Sequence, residues 1–420
     1  MNRFRCYTVL FFFSIIFLHF QALFSHEFLY PVAYTEHDGC AGVYVLYQKS
    51  ITHLELWLWN PKTKVATKGL LSTYTPAGLR ILPSSKGFSF IDEGRIRIKE
   101  FHKRSPKVIN IYESIYDMHE IEWINEDNFY FSAKKNGRFR IFQMDVNGVI
   151  ECLVGDIAND CMYPQIVGDH LFYIERYVED GQLKREHVSY KVFKTKYSKP
   201  HLFDDKFKYQ YNASQNSDAQ DQIRKSLLNG DIALDDEDVT CENASTTKKE
   251  CIADFKDSPI SFLKMISDSE GFFLSHPKEV ERQDKVLTFD CYHIKRTDQT
   301  WDYKDIFSFS IPTYLLLDML DSRLYESILP LLPKYNNGSI YYVDYYPEKR
   351  GNINIFRYDT KSGITEQKSF GRHGQLSFSP IFTNNKIFFG GCVNESCAHS
   401  PKMWINQEGF VCIELPSILT

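Results

Sequence analysis

The residues able to do chemistry are spread thinly along this chain. Its 13 histidines and 10 cysteines show none of the paired CxxC or Cys/His spacings that a structural zinc site needs. His119-Glu120-Ile121-Glu122-Trp123 begins like a metalloprotease HExxH, but tryptophan stands where the second histidine ligand belongs. Gly87-Phe88-Ser89-Phe90 lacks the second glycine of a nucleophile elbow and reads as a strand. No phosphate-cradling glycine loop occurs. His170 falls at a turn and reads as an exposed side chain rather than a catalytic one. The acidic run from Asp231 to Asp238 offers hard oxygen ligands, yet lacks the alternating spacing and central glycine of a calcium loop. It reads as a solvated segment. No catalytic residue, cofactor or metal ligand is assigned from these patterns.

The cysteines point to a compartment instead. Setting Cys6 apart in the N-terminal segment, nine remain. Cys241 with Cys251 and Cys392 with Cys397 would close short loops, and Cys152 with Cys161 would join the end of one repeat to the start of the next. In an oxidising compartment these are disulfide candidates. An odd number leaves at least one thiol over, and Cys291, beside Phe289, suits a buried small residue. Asn-x-Ser sequons at Asn212, Asn243, Asn337 and Asn394 fall in expected turns or insertions, as a glycosylation site would.

The first 25 residues agree with export. Arg3 and Arg5 precede the apolar run Val9–Leu18, the basic-then-apolar order of a secretory signal. The run is shorter than the ~20 residues of a membrane-spanning helix. Residues 1–25 are therefore read as a signal peptide or N-terminal anchor, which places residues 26–420 in the periplasm or outside the cell, with membrane contact only if the segment stays uncleaved. A net charge of −5 speaks against a nucleic-acid partner, which would need a basic face.

The elements that would position any site are strands. Aromatics make up 15% of the chain, with 33 Phe and 26 Tyr, a composition that favours pleated, half-buried surfaces. In Pro164–Ile174, Pro333–Val343 and Pro380–Phe389, a proline stands seven residues before an aromatic strand, with Gly, Asn or Asp between. That spacing predicts a hairpin whose first strand begins at the proline. Further along the unit, Asp145 with Gly148, and Asp359 with Gly363, predict a turn in which Asp caps amides and Gly takes positive φ. Units fall near 27–70, 77–112, 116–155, 160–204, 257–310, 328–371 and 374–416. Such units must stack to bury a core, and the expectation is an all-β chain. It is a β-propeller of about seven four-stranded antiparallel blades, six being possible.

Two segments break the rhythm. Residues 205–256 read as an acidic flexible insertion with a short helix near Gln222–Leu228. Residues 311–326 read as a short helical insertion, their apolar positions lying at helical spacing.

The pattern around Tyr163-Pro164, Leu171-Phe172-Tyr173 and Ile141–Gly148 resembles the propeller repeats of the TolB family, and is similar to the non-catalytic propeller of dipeptidyl-peptidase IV enzymes. The likeness covers most of residues 27–416 and implies an exported, partner-binding propeller. The expected function is thus a non-catalytic protein-binding scaffold of the cell envelope or secreted space, its partner another envelope or secreted protein. The alternative is a propeller enzyme of lyase or glycosidase type, with a discontinuous site at the central channel.

Overall fold

A computed structural model describes most of residues 28–197, 249–312, 331–368, 380–390 and 410–412, short interruptions within those ranges excepted. Among the described residues every regular element of more than one residue is a strand. The N-terminal segment, the helices expected near 222–228 and across 313–326, and the sequons at Asn212, Asn243 and Asn394 lie outside the described residues. No helix among the described residues is long and apolar enough to cross a membrane.

The strands form small sheets, in sequence order in all but the fifth. The first sheet holds β1 (Phe28–His37), β2 (Cys40–Ser50), β3 (His53–Trp59) and β4 (Ala66–Thr73); the second holds β5 (Ala77–Ile81), β6 (Gly87–Asp92), β7 (Arg95–Glu100) and β8 (Lys107–Ile109). The third runs β9 (Ile115–Trp123), β10 (Asn128–Lys135), β11 (Arg138–Asp145), β12 (Ile150–Val154). The fourth runs β13 (Asp160–Val167), β14 (His170–Val178), β15 (Val188–Lys196), β16 (Glu250–Phe255).

The fifth sheet has five strands: β17 (Ile260–Ser267), β18 (Glu270–Ser275), β19 (Lys278–Glu281), β20 (Lys285–Thr297) and β21 (Thr300–Pro312). The sixth comprises β22 (Lys334–Asn336), β23 (Ser339–Tyr346), β24 (Asn352–Asp359) and β25 (Thr365–Gln367). Six sheets thus have four or five strands. A seventh has three, β26 (Ile381–Phe382), β27 (Ile387–Phe389) and β28 (Phe410–Cys412), and its last pair is parallel. The fold is an all-β propeller of small, mostly antiparallel sheets, within the expected range of six or seven blades.

Two compact units divide the chain, residues 77–278 with 289–308 in one and the remainder in the other. In the first of these the sheets pack face to face through apolar side chains. β6 and β7 supply Ile91, Ile96 and Ile98 to a cluster with Phe129 and Phe131 of β10 and Met144 of β11. Each fully buried Phe or Ile there stabilises the fold by about 1.5–3 kcal/mol. Ile141 and Val154 meet Leu171, Tyr173 and Phe193 of the next sheet, and Phe172, Ile252 and Phe255 meet Leu263 and Phe273 of the one after. In the other unit, Trp57 and Trp59 of the first sheet pack with Ile381 and Phe388 of the last.

Local chemistry sets the hairpins. β10 and β11 are joined by Asn136 (φ 54°) and Gly137 (φ 77°), and β22 and β23 by Asn337 (φ 47°) and Gly338 (φ 77°). Both are Asn-Gly turns with two positive φ values, the type whose twist matches the flanking strands.

Three expectations need correction. Pro164 does not begin its strand: it lies inside β13, at a register shift following Tyr163, whose φ is 54°. A bulge already removes a ladder bond, so proline costs nothing further there. Pro333 and Pro380 do stand immediately before β22 and β26. The insertion expected over 205–256 is shorter, because Glu250–Phe255 form β16, paired with β15. Ile252, Ala253 and Phe255 are buried in the core there. The excursion therefore interrupts the fourth blade between its third and fourth strands. Likewise Ile311 and Pro312 complete β21.

Candidate functional site

The Asp…Gly pairs build turns. Asp145 Oδ1 accepts from the amides of Asn147 and Val149, each at 2.8 Å, and Gly148 has φ 94°. Asp359 Oδ1 accepts from the Ser362 amide at 2.8 Å, its hydroxyl at 2.9 Å and the Lys361 amide at 3.1 Å, with Gly363 at φ 70°. The Ser362 amide and hydroxyl, then the Lys361 amide and Arg357, hold the Asp359 carboxyl below its ordinary pKa.

A second set of polar groups braces one sheet to the next. Asp160, 2% exposed, accepts from the Phe139 amide across the seam at 2.9 Å and from Arg176 Nε at 2.9 Å. Burial works to lower the Arg176 pKa, but the Asp160 carboxylate outweighs it and the guanidinium is held above its ordinary value. The amide of Gln165 acts like a strand edge, donating to the Met265 carbonyl at 2.9 Å and accepting from its amide at 2.5 Å. Arg80 Nε meets Glu122 at 2.9 Å, and Trp123 donates to Ser89 at 2.9 Å. The histidine-glutamate segment that imitates a metalloprotease is thus followed by a tryptophan with a structural partner.

Glu175 was not visible as special in the sequence. At 1% exposure it accepts from Lys249 Nζ at 2.8 Å, Tyr177 at 2.6 Å and Tyr173 at 3.3 Å. Burial first, then the Glu175 charge, push the Tyr173 phenol far up. Lys249 also sits 4.6 Å over the Phe193 ring, so it is no plain surface charge.

Two clusters combine histidine with aspartate. On β9 and β10, Asp117 Oδ2 meets Lys134 Nζ at 2.6 Å and Oδ1 meets His119 Nε2 at 3.2 Å. Burial tends to raise the Asp117 pKa, but Lys134 and His119 together take it below the ordinary value. The other cluster joins two hairpin turns of adjacent sheets, Gly168-Asp169 between β13 and β14, and Asp268-Ser269 between β17 and β18. His170 Nδ1 lies 2.8 Å from Asp169 Oδ1 and 3.3 Å from Asp268 Oδ1. His170 Nδ1 and Asp268 Oδ1 are both buried atoms with no partner in hydrogen-bonding geometry. Three metal-ligating groups within 4.8 Å of one another is a constellation the sequence hides, because Asp268 is far from His170 in the chain.

The cysteine expectation is corrected in part. Cys161 and Cys251 are thiols rather than halves of disulfides, so neither the Cys152–Cys161 nor the Cys241–Cys251 bridge forms here. Packing explains the first: Cys152 belongs to the cluster between the second and third sheets, and Cys161 to the one between the third and fourth. Cys251 sits exposed on β16, while Cys241, Cys392 and Cys397 lie outside the described residues. Cys291 is buried, and that burial pushes its thiol pKa well up. Asn337 is exposed at its turn, whereas Ser339 of the same sequon is 1% exposed.

No family model matches the chain, and no curated protein matches it. Among solved structures it is similar to TolB from Acinetobacter baumannii, at 10% identity and TM-score 0.38 over 81% of this chain and 63% of that one. The β-propeller domain of the Trilobed protease from Pyrococcus furiosus gives 12% identity and TM-score 0.43 over 85% and 88%. The Pyrococcus horikoshii acylaminoacyl peptidase gives 12% and 0.43 over 86% of this chain, which spans only 50% of that enzyme. The repeated small sheets themselves establish the fold as a β-propeller, and TolB is among the structures to which it is similar.

Proposed function

We propose that this chain is an exported, non-catalytic β-propeller acting as a protein-binding scaffold in the cell envelope or secreted space. The observation that carries this reading is where the polar side chains at the seams go. Asp160, Gln165, Glu175 and the Arg80–Glu122 pair hold strand to strand and sheet to sheet, which makes a stiff frame. A stiff frame suits the presentation of variable segments, and binding residues concentrate on such segments. The excursion between β15 and β16, with its acidic run Asp231–Asp238, is the largest of these and interrupts a blade without ending it.

In-cell crosslinking of the full-length chain, followed by affinity capture and mass spectrometry, tests the proposal. A reproducible protein partner, weakened when the Asp231–Asp238 carboxylates are changed to amides, supports it. Absence of any partner, together with turnover of an envelope polymer by the purified chain, overturns it.

A further inference from the structure

We propose that Asp169, His170 and Asp268 form a binding site for one divalent transition-metal ion of the zinc type, held between two adjacent hairpin turns. Zinc bonds to imidazole nitrogen and carboxylate oxygen are about 2.0–2.2 Å long, so donors sharing a tetrahedral ion stand roughly 3.3–3.6 Å apart. The 3.3 Å from His170 Nδ1 to Asp268 falls in that interval, and the 2.8 Å to Asp169, an exposed side chain, needs only to open by about half an ångström. With a neutral imidazole, its ring lone pair at Nδ1 and two carboxylate oxygens would face one another as acceptors. Such a group of acceptors, of which His170 Nδ1 and Asp268 Oδ1 are buried atoms, is unfavourable without a cation among them. The missing hydrogen bonds at His170 Nδ1 and Asp268 Oδ1 are what that arrangement leaves.

The surrounding chain shapes the site. A Cβ at residue 168 would stand 3.3 Å from Asp268 Oδ2, and Gly168 has φ 61°, so glycine both makes the turn and lets the second turn approach. The Asp169 carbonyl accepts from the Tyr197 amide at 2.7 Å, fixing the first turn. Lys194 of β15 donates to the Asp268 main-chain carbonyl at 3.2 Å and lies over Phe172. Lys196 pairs in register with His170 but is exposed, and Glu270 is engaged with His293 at 2.9 Å. An imidazole ligand selects a borderline ion such as zinc over calcium, which takes oxygen donors. Asp169 is 65% exposed on its side chain, which leaves the remaining coordination positions to water.

The test uses the full chain, stripped with chelator and titrated with zinc by calorimetry and thermal melting. Cobalt(II) absorption reports the donor atoms. The expected result is one zinc per chain, a raised melting temperature, and weak cobalt bands without thiolate charge transfer. His170→Ala and Asp268→Asn should each lower affinity by more than about a hundredfold, beyond the roughly 10–100-fold that loss of an outer-shell partner costs. Asp169→Asn, at an exposed position, should lower it while leaving the metal-free melt unchanged, and Cys251→Ser should leave binding intact. Absence of zinc binding overturns the proposal, as does undiminished binding by His170→Ala or a thiolate spectrum. A melt that follows pH through the imidazole range and ignores zinc also overturns it, since the cluster then holds only a proton.

Discussion

The two histidine–aspartate clusters on neighbouring sheets use the same residue types to opposite ends. At Asp117 a lysine supplies the missing charge: Lys134 Nζ at 2.6 Å neutralises the carboxylate, His119 adds a contact at 3.2 Å, and nothing remains for a ligand to satisfy. At Asp268 a second carboxylate takes the place of the lysine, and the adjacent ammonium of Lys194 is spent on a main-chain carbonyl. What separates a structural ion pair from a candidate ligand site is therefore the local charge count, more than the presence of histidine. The sequence suggests the reverse ranking, since His119 sits in a metalloprotease-like string and His170 stands alone.

A buried brace sets the upper end of the scale on which the clusters should be compared. Asp160→Ala removes the carboxylate from Arg176 and from the Phe139 amide. It should cost about 3 kcal/mol, the low end for breaking a buried pair, because Arg176 keeps some solvent. Its urea midpoint should fall accordingly, and a loss below that of the cluster variants would show that seams are not where stability is concentrated. Lys134→Met comes next, with an expected loss of about 1.5 kcal/mol, the worth of a charged hydrogen bond at a half-buried position. Acid sharpens this result. Asp117 has a depressed pKa in the folded state, so its contribution is complete above the unfolded carboxyl value of about 3.9. It is lost as pH falls through the lower folded value. Wild type should therefore approach Lys134→Met in stability below about pH 4 and exceed it at neutrality. Parallel denaturation curves at all pH values would remove the ion pair from the account.

The frame was legible in the sequence and the cluster was not, for a physical reason. Periodicity and turn chemistry are local: Asp145 with Gly148, Asp359 with Gly363 and the Asn337-Gly338 turn announce themselves within a few residues, and the sheets fall close to the units they predict. The fourth blade escaped in part because β16 follows the long excursion, so that its partner β15 is distant in the chain. The Cys152–Cys161 pairing failed because adjacency along the chain does not decide which seam a cysteine faces: Cys161 is a thiol at one seam, while Cys152 faces another and is disulfide-bonded. Gln165 with Met265, and His170 with Asp268, join consecutive sheets across about a hundred residues. No spacing rule within one repeat could reveal them.

The smallest expected effect is the most discriminating. Asp268→Asn keeps the size and shape of a side chain that is 47% exposed and removes one of two carboxylates facing a common imidazole. In a purely structural ion pair this change would destabilise the metal-free protein, as Lys134→Met is expected to do at Asp117. In a ligand site it removes repulsion between groups that await a cation, and the amide nitrogen can donate to a neutral His170 Nδ1. The metal-free variant should then match wild type within about 0.5 kcal/mol, half-exposed charges being well screened. Chemical denaturation in chelator measures this difference, and the same preparation in zinc should lose the stabilisation that wild type gains. A drop as large as that of Lys134→Met in chelator would make the two clusters alike, with His170 positively charged and both carboxylates holding it in place.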